Sequence, residues 1–371
     1  MSGAGPTSTP SDRPESGAFG EPRRDAAVDA VSHPPDMGLG PSQPTPETPD
    51  YARNSRNTRP PSLVKRALSN PRVSLGGGVL LLILLLCVGS MPWTVGDSGG
   101  RWFYDAANAP TNAEPLAQGQ GLLGIFGFDL QGRSMLSRCL LGGVISLAVG
   151  VAAAAISVIL GVGVGLIAGY AGGRTDQILM RLVDVIYGLP YILLVILFKV
   201  ALESPIEDLY DSVGWFNSPA SAASLTVMFM AIGLVSWLTM ARVVRGQVLS
   251  LRDQPFIEAA RAAGVGPMRI FMRHLLPNLV GPVIVYATLT IPQAILQESF
   301  LSFLGIGVVP PLPSWGSLAS FGLNPAFGAF KSYWWQLVFP CGMLAVTLLC
   351  LNFLGDGLRD LFDPRSENAK L

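Results

Sequence analysis

The stretch Asp253-Gln254-Pro255-Phe256-Ile257-Glu258-Ala259-Ala260-Arg261-Ala262-Ala263-Gly264-Val265-Gly266-Pro267-Met268-Arg269-Ile270-Phe271-Met272-Arg273-His274-Leu275-Leu276-Pro277 lies between two apolar runs, each long enough to cross a bilayer. Pro255 suits the first turn of a helix, with Asp253 or Gln254 placed to cap it. The alanine-rich segment that follows predicts a short helix, on which Phe256, Ile257, Ala260 and Ala263 can share one face. Gly264-Val265-Gly266-Pro267 stops that helix and starts a second, which Pro277 is expected to end or kink. A connection this long needs a task beyond joining two spans. Two helices at an angle, carrying Glu258, Arg261, Arg269 and Arg273, predict a water-facing knuckle that a soluble partner could grip.

The flanking runs are part of a wider pattern. Half of the residues are hydrophobic and 13% are charged, where a soluble domain averages about 25% charged. Much of the chain is therefore expected inside a membrane. At roughly 20 apolar residues per helical crossing, six spans are predicted, at about Leu75–Val95, Leu140–Ala171, Ile178–Ala201, Ala222–Val244, Leu279–Phe300 and Trp334–Leu354. The second would be roughly 50 Å long, so one end should project into water, near Arg174 and Asp176. Pro190 should kink the third, and Pro282 and Pro292 should bend the fifth. The expected class is an all-α membrane protein with about six transmembrane helices.

Lys and Arg orient the spans. Arg59, Lys65, Arg66 and Arg72 precede the first; Arg242, Arg245, Arg252, Arg261, Arg269 and Arg273 surround the knuckle; Arg359 and Arg365 follow the last. The opposite loops hold Arg101, Arg133, Arg138 and Lys331. Both termini and the knuckle are expected in the cytoplasm. Residues 1–62 are dense in Pro, Ser, Thr and Gly without apolar periodicity, which predicts a disordered cytoplasmic tail. The first span with an extracytoplasmic loop (63–137), a core (138–365) containing the loop 253–277, and a short tail (366–371) complete the expected organisation.

Glu258-Ala259-Ala260, then Gly264, then Leu276-Pro277 resembles the EAA loop of ABC importer permeases. From Gly127 to Arg365 the chain is similar to the C-type permease subunit of dipeptide, oligopeptide and nickel importers. Gly127-Phe128-Asp129 with Gly132-Arg133 and Ser137-Arg138 looks like the family's lead-in to the second span, differing at Phe128 and Ser134. Leu301-Ser302-Phe303-Leu304-Gly305, Pro313-Ser314-Trp315-Gly316 and Leu354-Gly355-Asp356-Gly357-Leu358-Arg359-Asp360 are similar to its later loops. The stretch Glu203–Ser221 looks like a longer and more acidic loop than usual.

The resemblance implies a type I ABC importer permease fold in a bacterial cytoplasmic membrane, moving short peptides, with nickel or another small solute as the alternative. It implies docking of an ATPase through Phe256, Ile257, Glu258, Ala259, Ala260, Gly264, Leu276 and Pro277. Glu258 would cap or salt-bridge the knuckle, the alanines would allow close approach, and Gly264 would make the turn. The implied partners are a homologous permease in a heterodimer, two ATP-binding subunits, an extracytoplasmic binding protein and membrane lipid. Nucleic acid is not among them.

Other chemistries find little footing. Gly96-Asp97-Ser98-Gly99-Gly100 spells a serine-protease nucleophile motif, but the two histidines, His33 and His274, lie in the tail and on the knuckle, and that mechanism needs a histidine base at the serine. A flexible outer turn is the better reading, and no catalytic residue is expected. Gly161, Gly165 and Gly169 have the small-xxx-small spacing of close helix packing. No lysine ends a Gly-rich phosphate loop, so ATP hydrolysis, where it drives transport, belongs to another polypeptide. Cys87, Cys139, Cys341 and Cys350 lack metal-ligand spacing and read as buried thiols; no cofactor or metal is expected. Arg181 and Asp184 suggest an intrahelical pair, Lys199 a snorkelling side chain, and Glu298 a pathway or interface residue. An intramembrane hydrolase lacks a histidine in any span. A secondary transporter is disfavoured because no inverted repeat is evident.

Overall fold

A computed structural model describes residues 70–94, 97–98, 101–102, 111–116, 121–214, 218–323 and 333–362; the expected tails, 1–62 and 366–371, lie outside them. The first span, α1 (Pro71–Gly89), starts at Asn70, whose side chain accepts the Arg72 N–H at 3.1 Å. Its leucines Leu81, Leu82, Leu85 and Leu86 are more than half exposed, as a lipid-facing helix requires. After α2 (Met91–Thr94), strands β1 (Asp97–Ser98) and β2 (Arg101–Trp102) pair antiparallel. The protease-like motif thus begins one strand of a small ladder, with Gly96, Gly99 and Gly100 outside the described residues.

Two long helices form the middle of the bundle. Helix α3 (Met135–Ala171) has 37 residues and α6 (Pro219–Arg252) has 34, about 55 and 51 Å at 1.5 Å per residue. They run parallel along a seam of small residues. A Cβ on Gly161 would lie 2.5 Å from the Met240 Cβ, one on Gly165 2.6 Å from the Ala241 carbonyl oxygen, and one on Gly169 2.8 Å from the Val248 Cβ. Gly233 answers from α6, packed on Ile156. Backbone therefore meets side chain and backbone without a spacer.

Between them the chain departs from expectation. The third span is not one kinked rod: α4 (Gly173–Tyr187) and α5 (Tyr191–Val213) meet at 92°. Gly188 caps the first helix and Pro190 opens the second, so two breakers within three residues turn a kink into a corner. Nor is Glu203–Ser221 a loop throughout, since α5 stays helical past Pro205 to Val213. Proline removes one backbone donor, and the turns on either side close over the gap.

The chain then forms α7 (Pro255–Ala262), α8 (Pro267–Ile270), a π turn (Phe271–Leu275), α9 (Leu276–Phe303), α10 (Trp315–Leu323) and α11 (Trp335–Phe362). Five helical stretches of the described residues are long and apolar enough to cross a membrane, or six if the α4–α5 corner counts as one span. Val149, Val183, Val195, Ile232 and Ala294 form one core linking α3, α4, α5, α6 and α9. Ile83, Leu147, Ile295, Trp315 and Leu351 form a second linking α1, α3, α9, α10 and α11. Cys87, Cys139 and Cys350 are buried free thiols, whereas Cys341 is exposed, contrary to the sequence reading.

Candidate functional site

Helix α7 projects from the end of α6 and is held mainly by one side chain. Ile257 is fully buried among Ile270 and Leu275, with Tyr170, Leu251, Ala260 and Val265 packed around. This node joins the ends of α3 and α6 to the start of the fifth span. Phe256, Glu258, Ala259, Arg261 and Ala263 are all exposed, so of the expected apolar face only Ile257 and the half-buried Ala260 turn inward. Gln254 stands at the N-cap but its side chain does not cap the helix, its amide donating instead to the Ser250 carbonyl at 3.4 Å, and Glu258 sits exposed in the first turn. Among the described residues Glu258 forms no ion pair. Gly264 has φ +75° with nothing within 4 Å of an added Cβ; backbone conformation, not space, asks for glycine there. Its N–H bonds to the Arg261 carbonyl and the Val265 N–H to Ala260, closing the helix end.

Leu276-Pro277 neither ends nor sharply kinks the second helix. Residues from Pro267 to Phe303 run as one span-length unit, and the irregularity comes one turn earlier. Pro277 lacks the N–H that would reach back to Arg273, and the backbone widens so that the Leu276 N–H bonds to the Phe271 carbonyl, the π pattern. Asn278 donates its side-chain amide to the His274 carbonyl at 2.6 Å. The π turn also sets Phe271 edge-on to Tyr170 of α3, at 6.3 Å between ring centres.

Behind the loop, α4 is tied to α6 by two ion pairs. Asp176 accepts both Arg245 Nε and Nη2, at 2.5 and 2.6 Å. Asp184 pairs with Arg242 at 2.8 Å instead of with Arg181 on its own helix, and the Arg242 guanidinium lies 4.0 Å over the Tyr187 ring. An i,i+3 spacing allows a contact, but Arg242 offers Asp184 a stacked, pre-oriented partner.

A cavity of about 520 Å³ opens beside the α4–α5 corner, between it, α6 and α9. Its polar lining includes Tyr191, Ser236, Thr239, Thr290, Gln293 and Gln297, with Tyr187 and Tyr286 beside them. The Tyr191 hydroxyl donates to Gln297 Oε1 at 2.5 Å. The sequence reading missed these positions, although Tyr286, Thr290, Gln293 and Gln297 recur at intervals of four, three and four, a polar stripe on an apolar span.

At the end of the spans remote from α7, charge is enclosed. Asp129 accepts the N–H groups of Gln131 and Arg133 at 2.8 and 2.9 Å, Arg133 Nε at 2.7 Å and Arg138 Nη1 at 2.6 Å. Burial alone would raise its carboxyl, but the Arg138 and Arg133 guanidiniums and the hydrogen bonds hold it below the ordinary carboxylate value. Phe128 is buried, its carbonyl accepting from Trp335 Nε1, and Ser134 caps α3. Lys199 does not snorkel: buried, it donates to the Ile306 and Gly307 carbonyls at 2.6 and 2.5 Å and lies 3.6 Å from Glu203. Glu298 is sealed away from the cavity, accepting from Ser302, Ser146 and Ser299 at 2.6, 2.9 and 3.3 Å. It joins α9 to α3, while its neighbour Gln297 faces the cavity. Among the described residues, no group of His, Cys, Asp and Glu could hold a metal ion.

Residues 161–368 match the family described as the binding-protein-dependent transport system inner membrane component. The chain belongs to that family. This permease is 37% identical over 301 residues to the oligopeptide transport system permease protein OppC of Haemophilus influenzae, covering 81% of this chain and 87% of that one. It is 47% identical over 240 residues to OppC of Escherichia coli K12, covering 65% and 72%. It is 37% identical over 300 residues to the dipeptide transport system permease protein DppC of Bacillus subtilis, covering 81% and 84%. The permease is a multi-pass inner-membrane transport component.

Proposed function

We propose that the permease is one transmembrane half of an ATP-driven importer of short peptides. A homologous permease forms the other half, two separate ATP-binding subunits hydrolyse the nucleotide, and an extracytoplasmic binding protein delivers the peptide. The names of its relatives, oligopeptide and dipeptide permeases, support the substrate class. The observation that carries the reading is α7, a short exposed helix hung on the single buried Ile257. Exposed Ala259 leaves its surface low enough for close approach, half-buried Ala260 lets the helix sit close on its own node, and Phe256 and Glu258 lie in solvent. Closure of the ATPases around nucleotide would displace α7, and the apolar node under Ile257 would pass that displacement to α3, α6 and the π turn. The arginines around the loop support a cytoplasmic position for α7 and both termini, with 1–62 and 366–371 as tails outside the working core.

Ala259→Trp tests this directly. The residue is exposed, so the bundle should insert normally, while co-purification of the ATP-binding subunits should fall about tenfold, equivalent to about 1.4 kcal/mol. Undiminished recovery of those subunits would remove α7 from the docking surface. Vesicles holding the full complex should accumulate labelled tripeptide only with ATP and binding protein present.

A further inference from the structure

We infer that the cavity between the α4–α5 corner, α6 and α9 holds the main chain of the transported peptide, and that its uncharged lining makes the permease indifferent to the charge of peptide side chains. This rests on the peptide reading above. The cavity lies well within the spans: Tyr286 is about 15 Å along α9 from its start, and Thr239 about 20 Å from the end of α6, at 1.5 Å per residue. From Tyr286 to Gln297 the polar stripe extends about 16 Å, the length of roughly five extended residues.

An extended peptide carries a donor and an acceptor at nearly every residue, and each must be satisfied when it leaves water. Ser236, Thr239 and Thr290 present hydroxyls that serve in either sense, and Gln293 and Gln297 present amides that do both. Tyr191, its hydroxyl fixed on Gln297, positions that amide. None of the lining residues is ionisable at neutral pH. Beside the lining, Asp184 and Arg242 pair with each other at 2.8 Å, the guanidinium stacked on the Tyr187 ring. A fixed charge on the wall would disfavour like-charged cargo. A metal ion as cargo would want imidazole, thiolate or carboxylate donors, and the lining has none.

The test places a charge where the wall is accessible. Gln293 is exposed on the chain surface, so Gln293→Glu and Gln293→Lys should both assemble. In vesicles containing the complete importer, uptake of a lysine-centred tripeptide is measured against an aspartate-centred one. The wild-type ratio should be near unity, rising about tenfold in Gln293→Glu and falling about tenfold in Gln293→Lys. An unchanged ratio in both variants, with trialanine uptake intact, would overturn the inference and leave the peptide reading standing. Wild-type vesicles that take up no peptide with ATP would instead overturn the peptide reading itself. Should both charged variants lose all uptake, Gln293→Cys in a Cys341→Ser background is treated with a methanethiosulfonate reagent. Slower labelling in excess trialanine supports the site, and labelling unaffected by peptide refutes it.

Discussion

At the end remote from α7, Asp129, Lys199 and Glu298 are each less than a tenth exposed, and each has its hydrogen bonds met within the chain. At the α7 end, Glu258, Arg261, Arg269 and Arg273 stand in solvent around a small apolar node of Ile257, Ile270 and Leu275. The first arrangement spends charge on internal cross-links between α3, α5, α9 and the segments joining them. The second leaves charge facing solvent and anchors the loop mainly by apolar contact, with the Tyr170 hydroxyl donating to the Pro267 carbonyl. Buried, fully partnered charge tolerates little displacement, because any movement strands an ion. An apolar anchor can shift by a rotamer and still be an anchor. The contrast assigns rigidity to one end and compliance to the other.

The largest effect should come from breaking the rigid end. Asp129→Asn removes the carboxylate that Arg138 and Arg133 share, and removing one partner of a buried pair costs about 3–5 kcal/mol. The melting temperature of the solubilised complex should drop clearly; an unaltered melting curve would erase the distinction between the two ends. Next comes Ile257→Ala, expected to cost about 2–5 kcal/mol in local packing yet to loosen only the loop. Amide exchange should quicken across residues 255–270 and stay slow in the middle of α3. Quickening throughout the bundle would mean that the loop is a structural member, not a compliant appendage. Gly264→Ala should cost about 1–2 kcal/mol through the left-handed backbone alone, with Gly264→Asn milder, both read as weaker co-purification of the ATP-binding subunits. Equal behaviour of Gly, Ala and Asn there would make the positive φ incidental.

The smallest effect concerns acidity. Because Asp129 titrates below its unfolded value, its contribution is complete above about pH 4 to 5 and is lost as pH falls through the folded value. The stability gap between wild type and Asp129→Asn should therefore be flat near neutrality and shrink only in acid. A gap that narrows already between pH 8 and 6 would assign it to another group.

Much of this plan is written in composition and punctuation. Apolar runs located the spans, and Pro255, Gly264 and Pro267 marked the loop's elements, because cap and turn chemistry is local. What escaped the sequence was relational. Pro190 announced a kink in the third span, but no local rule separates a bend of tens of degrees from the 92° corner found. Asp184 had a candidate partner at Arg181 on its own helix, and only the tertiary approach of α6 put Arg242 in competition. Lys199 has the same stem and head whether it reaches for water or for carbonyls; the Ile306-Gly307 turn decided it. Glu298 and Gln297 are adjacent in sequence and face opposite surroundings, because successive helical residues point about 100° apart.

The seam between α3 and α6 has a mechanical consequence. With Gly161, Gly165, Gly169 and Gly233 letting the two rods touch at the main chain, neither can slide or roll without the other. They behave as a single plank whose one edge meets the corner at Pro190 and whose tip carries the Ile257 node. Any stroke arriving at that tip must swing the whole plank, so the give in the machine falls at the corner and at the widened turn before Pro277.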